Sequence, residues 1–385
     1  MSGLQDLFEE IKPLSPGQEK VKEALASDKD LIGVFGPTGT GKSLLAVSYG
    51  LSAVAKGDYS RVIVSRPVID VVSGKEYTVM SDPQGYRSIA GEYLKDILSG
   101  FIDYTEVEKL AEAGKLVLAD PHFLRGRTFD DSIIILDDAQ SVPPEVIVEI
   151  ITRLGRNSKL VISGDPVFQR TAEPGTDGAS LAREILLGEE SAEVIDLGLK
   201  DIVRPGAKRG VKLLLELQMR KRKLSDTEKA VLDSARTHAP DADIVTIVDL
   251  QDSKQRWNIT SEHTPDILVV VKEGHLGRFI GSGGERIQAI EEDTGVRLRA
   301  IQHTLDFREV IRAVHPVSWI HKHVRDVDFA GPQLRITVAS GAIGPMIGQR
   351  GAHIKFLDEV FRKLIGVGVY AVEAVEEQPK RRRRR

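Results

Sequence analysis

The sequence predicts an α/β domain with a parallel sheet covered by helices on both faces, followed by two small α+β domains. Short apolar runs alternate with helical segments over the first 200 residues, which is the pattern of β-α-β units. Beyond residue 225 the pattern changes, and a glycine-containing segment recurs 67 residues after its first copy. The charge also changes, because residues 1–200 carry 21 basic and 32 acidic residues, whereas residues 201–385 carry 32 and 25.

Composition limits the class of protein. The chain has 385 residues, of which 41% are hydrophobic, and this length favours two or three domains. It has no run of 18 apolar residues and no signal-like segment at its start, so we expect a cytoplasmic protein that does not cross a membrane. The absence of cysteine excludes disulfides and thiolate chemistry. A basic second half is typical of polyanion binding, although the run from Lys380 to Arg385 supplies most of that charge.

The elements of the first domain follow from its apolar runs. Buried strands are expected over residues 30–35, 62–65, 132–136 and 159–163, and helices over residues 43–54 and 143–154. One such domain is expected, ending near residue 205. Because ligands of open parallel sheets bind at the carboxyl ends of the strands, functional residues are expected where these strands end.

The end of the first strand carries the phosphate-binding pattern G-x-x-x-x-G-K-[ST]. Its residues are Gly36, Pro37, Thr38, Gly39, Thr40, Gly41, Lys42 and Ser43. Glycines let backbone N–H groups surround phosphates, and the following helix adds a favourable dipole. We expect Lys42 to neutralise the β- and γ-phosphates of ATP and the Ser43 hydroxyl to hold Mg²⁺. A glycine-rich turn without a ligand is the alternative.

Two further strand ends carry polar side chains. Asp137 and Asp138 follow the strand 132–136; we expect Asp137 to hold Mg²⁺ and Asp138 to orient or deprotonate the attacking water. Gln169 follows the next strand and is expected to sense the γ-phosphate. The alternatives are a helix N-cap with a spare acid at the first position and a surface turn at the second.

These motifs, in this order and spacing, resemble those of the PhoH-like ATPases, which are related to superfamily 1 helicases. The resemblance covers about residues 12–205 and also rests on Arg66-Pro67, on RGRT at 125–128 and on LDDAQ at 136–140. It implies a P-loop NTPase fold with a RecA-like parallel sheet, the hydrolysis of ATP, and RNA as the usual partner.

The resemblance also implies roles for residues outside the strand ends. Gln18, in the string PGQ, resembles the adenine-recognising glutamine of the family, and Leu44 is expected to line the same ATP site. Arg204, in the string DIVR, resembles the arginine of the last motif and is the expected arginine finger. The chain departs from the family pattern at Asp138, where glutamate is usual, and over residues 70–86.

The pattern I-G-x-x-G-x-x-I occurs twice in the second half. The two loops are Gly281, Ser282, Gly283 and Gly284, and Gly348, Gln349, Arg350 and Gly351. Each follows an apolar strand, at 267–271 or 334–338, and precedes a helix, as does the GXXG loop with which a KH domain clamps about four nucleotides of a single strand. The isoleucines are expected to anchor the loops in the core. Two KH folds that serve only for packing are the alternative.

The two copies together resemble the paired KH domains of the transcription elongation factor NusA, over about residues 226–376. Arg350 gives the second loop a basic side chain, whereas Arg278 and Arg286 are expected to assist the first loop in binding RNA. The expected domains are an ATPase domain at 1–205, a basic connector at 206–225, KH domains at 226–301 and 302–376, and a basic tail at 377–385.

We therefore expect an RNA-binding ATPase that hydrolyses ATP with Mg²⁺, grips single-stranded RNA and translocates on it or remodels it. Helicases of this superfamily place ATP between two RecA-like domains, so a chain with one such domain implies a homo-oligomeric ring, expected to be a hexamer, in which a neighbour completes the site. Two alternatives are a DNA-directed ATPase or helicase, and a non-enzymatic RNA-binding adaptor that uses ATP as a switch.

Overall fold

The structure, a computed structural model, describes residues 2–69, 76–78, 83–124, 128–169 and 175–374. The chain divides into two compact units. Unit 1 contains Met1–Lys208 with Phe329–Pro332, and unit 2 contains Arg209–Asp328 with Gln333–Arg385. Within the described ranges, no helix combines the length and apolar character needed to cross a membrane.

Unit 1 alternates strands and helices along the chain. Its helices are α1 (Ser2–Glu10), α2 (Pro16–Ala26), α3 (Lys42–Lys56), α4 (Pro83–Leu98), α5 (Tyr104–Glu112), α6 (Pro144–Ile151) and α7 (Gly178–Leu187). Its strands are β1 (Leu31–Phe35), β2 (Arg61–Ser65), β3 (Val68–Ile69), β4 (Glu76–Tyr77), β5 (Leu116–Ala119), β6 (Ser132–Leu136), β7 (Lys159–Gly164) and β8 (Ala192–Asp196). All the strands and both helices expected from the apolar runs are therefore present, with ends that differ by a few residues.

Six of these strands form a parallel sheet in the order β5-β2-β6-β7-β1-β8. Successive residues of a strand point to opposite faces, so Ile32 and Val34 pack into one core while Leu31 and Phe35 pack into another. Burying both faces explains the unbroken apolar runs in the sequence. Strands β1, β6 and β7 lie side by side, and their carboxyl ends bring three predicted motifs to one edge.

Unit 2 holds two successive α+β repeats, and the helix α8 (Pro205–Arg220) leads into it. The first repeat contains α9 (Asp226–His238), β9 (Ile244–Asp249), α10 (Gln251–Arg256), β10 (Ile267–Val271), α11 (Leu276–Ile280), α12 (Glu285–Thr294) and β11 (Leu298–Gln302). The second contains α13 (Arg308–Val314), β12 (Val324–Ala330), β13 (Gln333–Val338), α14 (Ile343–Ile347), α15 (Ala352–Ile365) and β14 (Val369–Glu373).

Each repeat carries a three-stranded sheet, ordered β11-β10-β9 in the first and β12-β13-β14 in the second. The strand before each glycine loop pairs in parallel with the last strand of its repeat. Phe279 and Ile290 lie in the core of the first repeat, and Phe356 and Phe361 are fully buried in the second. The predicted fold class, a parallel α/β domain followed by small α+β domains, is confirmed.

Candidate functional site

The predicted phosphate loop joins the end of β1 to the start of α3. Gly39 and Gly41 adopt left-handed φ angles of 79° and 85°. Both are also too closely packed for a side chain. A Cβ at Gly39 would lie 2.4 Å from the Cβ of Ala207, and one at Gly41 would lie 2.8 Å from Nε2 of Gln18. Backbone conformation and space therefore both require glycine here.

Lys42 is the first residue of α3, and its side chain turns back into the loop. Its Nζ donates hydrogen bonds to the carbonyl oxygens of Gly36, at 2.7 Å, and Pro37, at 2.8 Å. Burial lowers the pKa of Lys42, while the nearby carboxylates of Asp165 and Asp137 oppose that change. The ammonium group thus lies inside the loop that the sequence assigns to phosphates.

Gln18, near the start of α2, is buried against the same loop. Its Nε2 donates to the carbonyl oxygen of Thr40 at 2.9 Å, and its Oε1 accepts the N–H of Leu14 at 2.7 Å. These two bonds fix the orientation of the amide and leave it one further N–H and one further lone pair. The side chain therefore braces the loop.

The buried carboxylate of Asp201 links the first and the last motif of unit 1 along the chain. Oδ1 of Asp201 accepts the hydroxyl of Ser15 at 2.7 Å and the N–H of Gly17 at 3.0 Å, and Oδ2 accepts the N–H of Gly198 at 2.9 Å. The string DIVR thereby holds the string PGQ, which carries Gln18. The sequence marks both strings but not the bond between them.

Asp138, directly after β6, has a left-handed φ of 55°. Its Oδ2 accepts Nη2 of Arg66 at 2.5 Å, and its Oδ1 accepts Nε2 of Gln140 at 3.2 Å. Burial raises the pKa of Asp138, the charge of Asp137 raises it further, and Arg66 opposes both. The ion pair therefore favours the carboxylate form in a site that otherwise disfavours it.

Asp137 is 2% exposed and accepts the hydroxyl groups of Ser163 and Tyr93. Tyr93 lies on α4, and the guanidinium carbon of Arg66 stands 3.7 Å from the centre of its ring. Tyr93 thus contacts Asp137, and Arg66 contacts Asp138. Tyr93 is a residue that the sequence analysis missed, because no motif surrounds it.

Asp165 is a third buried acid at this edge. Its Oδ1 accepts the N–H groups of Val167, at 3.0 Å, and Phe168, at 2.8 Å. Its Oδ2 is buried and has no hydrogen-bond partner among the residues that the structure describes. Since Gln140 accepts the N–H of Asp165 at 2.9 Å and also bonds Asp138, one amide connects the ends of β6 and β7.

These groups line one cleft of about 850 Å³. Of the residues predicted to form the ATP site, it is lined by Gln18, Thr38, Gly39, Gly41, Lys42, Ser43, Leu44, Asp137, Asp138, Gln169 and Arg204. Gly36, Pro37 and Thr40 belong to the same loop but do not line the cleft. Gln169 and Arg204 are exposed at it, and the N–H of Arg204 donates to the carbonyl oxygen of Gly39 at 3.4 Å. Arg204 thus lies at the cleft of its own chain.

The cleft also has an apolar part that the sequence did not reveal. Leu14 and Phe101 line it although their side chains are 75% and 47% exposed. Ile11 and Ile97 lie beside them in the same lining. The cleft therefore offers both charged groups and apolar surface, which is typical of small-molecule sites.

The two glycine loops of unit 2 share one backbone geometry. Positive φ angles occur at Gly281 (78°), Gly283 (62°) and Gly284 (90°) in the first loop, and at Gly348 (73°), Arg350 (52°) and Gly351 (79°) in the second. Arg350 thus adopts the left-handed conformation that glycine provides at the corresponding position of the first loop. Gln349 and Arg350 are exposed.

The basic residues around the first loop are placed differently. Arg278 is exposed, whereas Arg286 forms an ion pair with Asp241 and donates to the carbonyl oxygen of Arg278 at 2.7 Å. A Cβ at Gly281 would lie 2.7 Å from Cγ of Arg286. Arg286 therefore holds the first loop in place.

The expectation that the isoleucines of the repeated pattern anchor the loops in the core is confirmed in part, because Ile287 packs against the core of the first repeat without being fully buried. Ile280 and Ile287 are only half-buried. The fully buried anchors are Phe279, one residue earlier, and Ile290, one helical turn later. Both lie on the inner faces of α11 and α12, whereas the motif isoleucines lie at the edge.

Three expectations concern residues outside the described ranges. These are the arginines of RGRT at 125–127, most of the divergent stretch at 70–86, and the basic tail at 377–385.

The parallel sheet and the loop that follows its β1 strand define unit 1 as a domain of the P-loop NTPase fold class. The chain belongs to the PhoH-like protein family, whose model matches residues 10–216. A KH domain model matches residues 267–311, so unit 2 contains a KH domain. This match begins at β10 and covers the first glycine loop.

Several known proteins are similar to this chain. A PhoH-like protein of Bacillus subtilis (strain 168) is 33% identical over 198 residues, which are 50% of this chain and 60% of that protein. Protein PhoH of Escherichia coli (strain K12) is 27% identical over 180 residues, 46% of this chain and 50% of that protein. The chain thus spans about half the length of these curated relatives. Among solved structures, the large terminase of the thermophilic bacteriophage D6E is similar to this chain with a TM-score of 0.34 and 15% identity. The similarity covers 57% of this chain and 50% of the terminase chain.

Proposed function

We propose that this protein is an RNA-binding ATPase, which hydrolyses ATP with Mg²⁺ in unit 1 and binds single-stranded RNA through unit 2. The observation that carries the proposal is the placement of Lys42, Asp137 and Asp138 around one cleft. The matched KH domain supports RNA as the partner. Hydrolysis would then serve to move along RNA or to remodel it.

In this proposal each side chain of the cleft has a separate role in binding or hydrolysing ATP. Lys42 neutralises charge on the β- and γ-phosphates, and Asp138 accepts the proton of, or orients, the attacking water. Gln169 and Arg204 contact the γ-phosphate from the rim of the cleft, and the apolar surface of Phe101 covers the base. Gln18 keeps the loop in the shape that binds phosphates.

The donor set of the cleft fits Mg²⁺. Asp137, Asp138 and Asp165 all act on the charge of Lys42, and Arg66 pairs with Asp138. The cleft lining has an excess of acidic residues that a divalent cation would offset: five acidic residues (Glu10, Asp96, Asp137, Asp138 and Asp165) against four basic ones (Lys12, Lys42, Arg66 and Arg204). The Ser43 hydroxyl and the Asp137 carboxylate are the hard oxygen ligands that would hold it. Bound with ATP, Mg²⁺ would supply charge neutralisation at the phosphates.

The second repeat of unit 2 supports a tandem arrangement of KH domains, similar to that of NusA. Apart from the helix α10, which the first repeat inserts between its first two strands, it has the order of elements found in the first repeat, and its loop has the same geometry. With Gln349 and Arg350 exposed, this loop presents a positive charge where a phosphate would lie. Arg278 plays that part at the first loop, whereas Arg286 contributes indirectly by holding the loop.

Phosphate release with and without single-stranded RNA tests the proposal. We expect activity that RNA stimulates, a loss of at least about 100-fold in Lys42→Ala, and no loss in Lys20→Ala, an exposed lysine of α2. Asp138→Asn is expected to bind ATP but to hydrolyse it poorly. The double substitution of Gln349 and Arg350 by aspartate is expected to remove the stimulation and to leave the basal rate unchanged.

Each competing function has its own outcome in this assay. Equal stimulation by a matched DNA strand, in a direct competition, would make the protein a nucleic-acid ATPase without preference for RNA. ATP binding without phosphate release above the Lys42→Ala background would favour an adaptor that uses ATP as a switch. Full activity in Lys42→Ala would place hydrolysis elsewhere.

A further inference from the structure

A concave surface of unit 2 contains an exposed aromatic pair. Trp319, His323, Ser340, Gly341 and Ala342 line a hollow of about 440 Å³. The Trp319 side chain is 44% exposed. Its ring stands edge-on to the ring of His323, with centroids 5.2 Å apart and planes at 79°. An exposed aromatic ring at the wall of a hollow offers a flat face on which a nucleic-acid base can stack.

The aromatic pair is held on a rigid turn. A 3₁₀ helix, Ile320–His323, follows Trp319 directly, and Ile320 is fully buried beneath it. The carbonyl oxygen of His323 accepts the N–H of Ala339 at 2.8 Å, which joins the turn to the end of β13. A ring fixed in this way loses little conformational freedom when a ligand stacks on it.

The charge of the turn favours an anionic ligand. Lys322, His323 and Arg325 are exposed within seven residues of Trp319. The carboxylate of Glu373, which lies near the hollow, is engaged by the N–H of Gly341 at 2.9 Å. Aromatic rings interleaved with basic side chains are typical of surfaces that bind single-stranded nucleic acid.

The position of the hollow connects it with the second glycine loop. Ala342 precedes α14, and Gly348 directly follows it. At 1.5 Å per residue, this five-residue helix is about 7.5 Å long. A strand clamped at the loop therefore needs to continue only along one short helix to bring a base to Trp319.

We propose that Trp319, supported by His323, is a stacking platform for a base of the single strand that continues past the Gly348–Gly351 loop. This inference rests on the proposed RNA-binding function and adds a base contact to it. A protein partner fits less well, because the other large hydrophobic residues exposed in the described part of unit 2, Leu213 and Leu217 of α8, do not line the hollow. Protein interfaces need a larger apolar patch than a single ring.

Titration of the full chain with an eight-nucleotide RNA tests the platform. Trp319→Ala is expected to lower the affinity about 10-fold, since one stacked base contributes on that scale, and Trp319→Phe is expected to retain most of it. The same strand with an abasic residue at each position in turn should include one position at which wild type and Trp319→Ala bind equally. Thermal unfolding of each variant provides the check on folding.

Fluorescence gives an independent readout, because Trp257 and Trp319 are the only tryptophans of the chain. In a Trp257→Phe background, the emission of Trp319 should be quenched by the eight-nucleotide RNA and not by a fully abasic strand of the same length. A Trp319→Phe background measures any response of Trp257, whose ring centre lies 5.1 Å from Nζ of Lys355, and serves as the baseline for the Trp319 signal.

Four outcomes would overturn the inference. If Trp319→Ala binds RNA as wild type does while Arg350→Asp binds weakly, the platform is refuted and the RNA-binding function stands. Equal loss on intact and abasic strands would make the role of Trp319 structural. A change in particle mass in Trp319→Ala, with RNA affinity unchanged, would assign the ring to contact between subunits. Absence of RNA binding by the wild type would remove both the platform and the proposed function.

Discussion

At the scale of single residues, the two glycine loops differ at one corresponding position. Gly283 and Arg350 have similar φ angles of 62° and 52°, which glycine adopts freely and arginine adopts at a cost. The second loop therefore accepts backbone strain together with a positive charge. We take this as the mark of a residue kept for binding, not for stability.

Exchanging the two side chains should move stability and binding in opposite directions. Arg350→Gly is expected to raise the free energy of unfolding by about 0.5–1 kcal/mol and to weaken RNA binding. Gly283→Arg is expected to do the reverse, because arginine adopts the φ of 62° at a cost and adds a positive charge, while a Cβ there would meet no atom within 4 Å. Urea unfolding and RNA titration of both variants check this. A loss of stability in Arg350→Gly would show that the strain is relieved by contacts of the arginine.

His315 makes the stability of unit 2 depend on pH. It is fully buried; its Nδ1 accepts the N–H of Val317 at 3.0 Å, and its Nε2 lies 3.3 Å from the carbonyl oxygen of Met346. Burial, with a smaller contribution from the neighbouring His353 and His263, lowers the pKa of His315 to about 4, while the hydrogen bonds with Met346 and Val317 oppose the change. The neutral form therefore fits the fold, and the charged form does not.

Because the unfolded chain binds this proton more readily, the stabilising contribution of neutral His315 is complete above the unfolded pKa of about 6.5. It is lost as the pH falls toward 4, by up to roughly 3 kcal/mol. Urea unfolding of wild type and His315→Gln at a series of pH values measures the difference. We expect the two curves to converge in acid, and parallel curves would contradict the assignment. His321→Gln, at a partly exposed site, is the control.

How far the sequence predicts the site also depends on the residue. The phosphate loop is local, so eight consecutive residues suffice to place Lys42 and Ser43. The contact of Tyr93 with Asp137 joins residues 44 positions apart, and it depends on how α4 packs, which no local pattern encodes. Asp165 directly follows the strand β7. Its sequence context does not show that its carboxylate is buried and interacts with the charge of Lys42.

At the scale of elements, the start of α2 depends on Asp201. Three hydrogen bonds hold that carboxylate, and a Cβ at Gly17 would lie 2.4 Å from its Oδ1. The beginning of the helix that carries Gln18 and the segment that carries Arg204 are thereby fixed to each other. The arrangement couples two rims of the cleft through one side chain.

Asp201→Ala should therefore affect both stability and nucleotide binding. We expect a loss of roughly 3 kcal/mol in the free energy of unfolding, because buried donors lose their acceptor, and a weaker affinity for ATP. Asp201→Asn, which retains an acceptor oxygen, should lose less of both. Denaturant unfolding and ATP titration give the two numbers. Normal ATP affinity in a destabilised Asp201→Ala would show that the coupling has no bearing on the nucleotide.

Helices and strands are predictable from the sequence where one face or both faces of the element are buried, because burial leaves a regular pattern of apolar residues. Strand β6 agrees with the prediction at both ends, because its four apolar residues lie between Ser132 and Asp137. The segment 206–225 is predicted to be a basic connector, because four basic residues follow one another at 220–223, whereas the structure has the helix α8 over most of it. Val211, Leu215 and Met219 are buried at helical spacing within it, so the pattern was present in the connector.

At the scale of the whole molecule, Arg204 bears on assembly. The sequence implied an arginine supplied to a neighbouring subunit in a hexameric ring, whereas the structure places Arg204 at the cleft of its own chain. An arginine that stabilises phosphoryl transfer is worth about 10³–10⁵ in rate. We therefore expect each cleft to be completed by the Arg204 of its own chain.

Mixing two inactive variants identifies the donor subunit. Lys42→Ala and Arg204→Ala are each expected to be inactive, and their mixture is expected to remain so, because every cleft would still lack one of its own cations. Recovery of phosphate release after subunit exchange, followed by an independent fluorescent label, would show that the arginine crosses to a neighbour. Light scattering would report how many chains of 42.3 kDa assemble.

The position of β1 in the sheet has a consequence for how the molecule is made. This first strand lies between β7 and β8, with partners that follow Leu31 by 129 and 161 residues. A chain emerging from the ribosome therefore cannot pair β1 with β7 until residue 164 has been synthesised, or with β8 until residue 196, and such distant pairing is slow. The phosphate loop, although encoded early, takes shape late, and a nascent chain that stops short of residue 196 exposes an unpaired edge of β1 to chaperones and proteases.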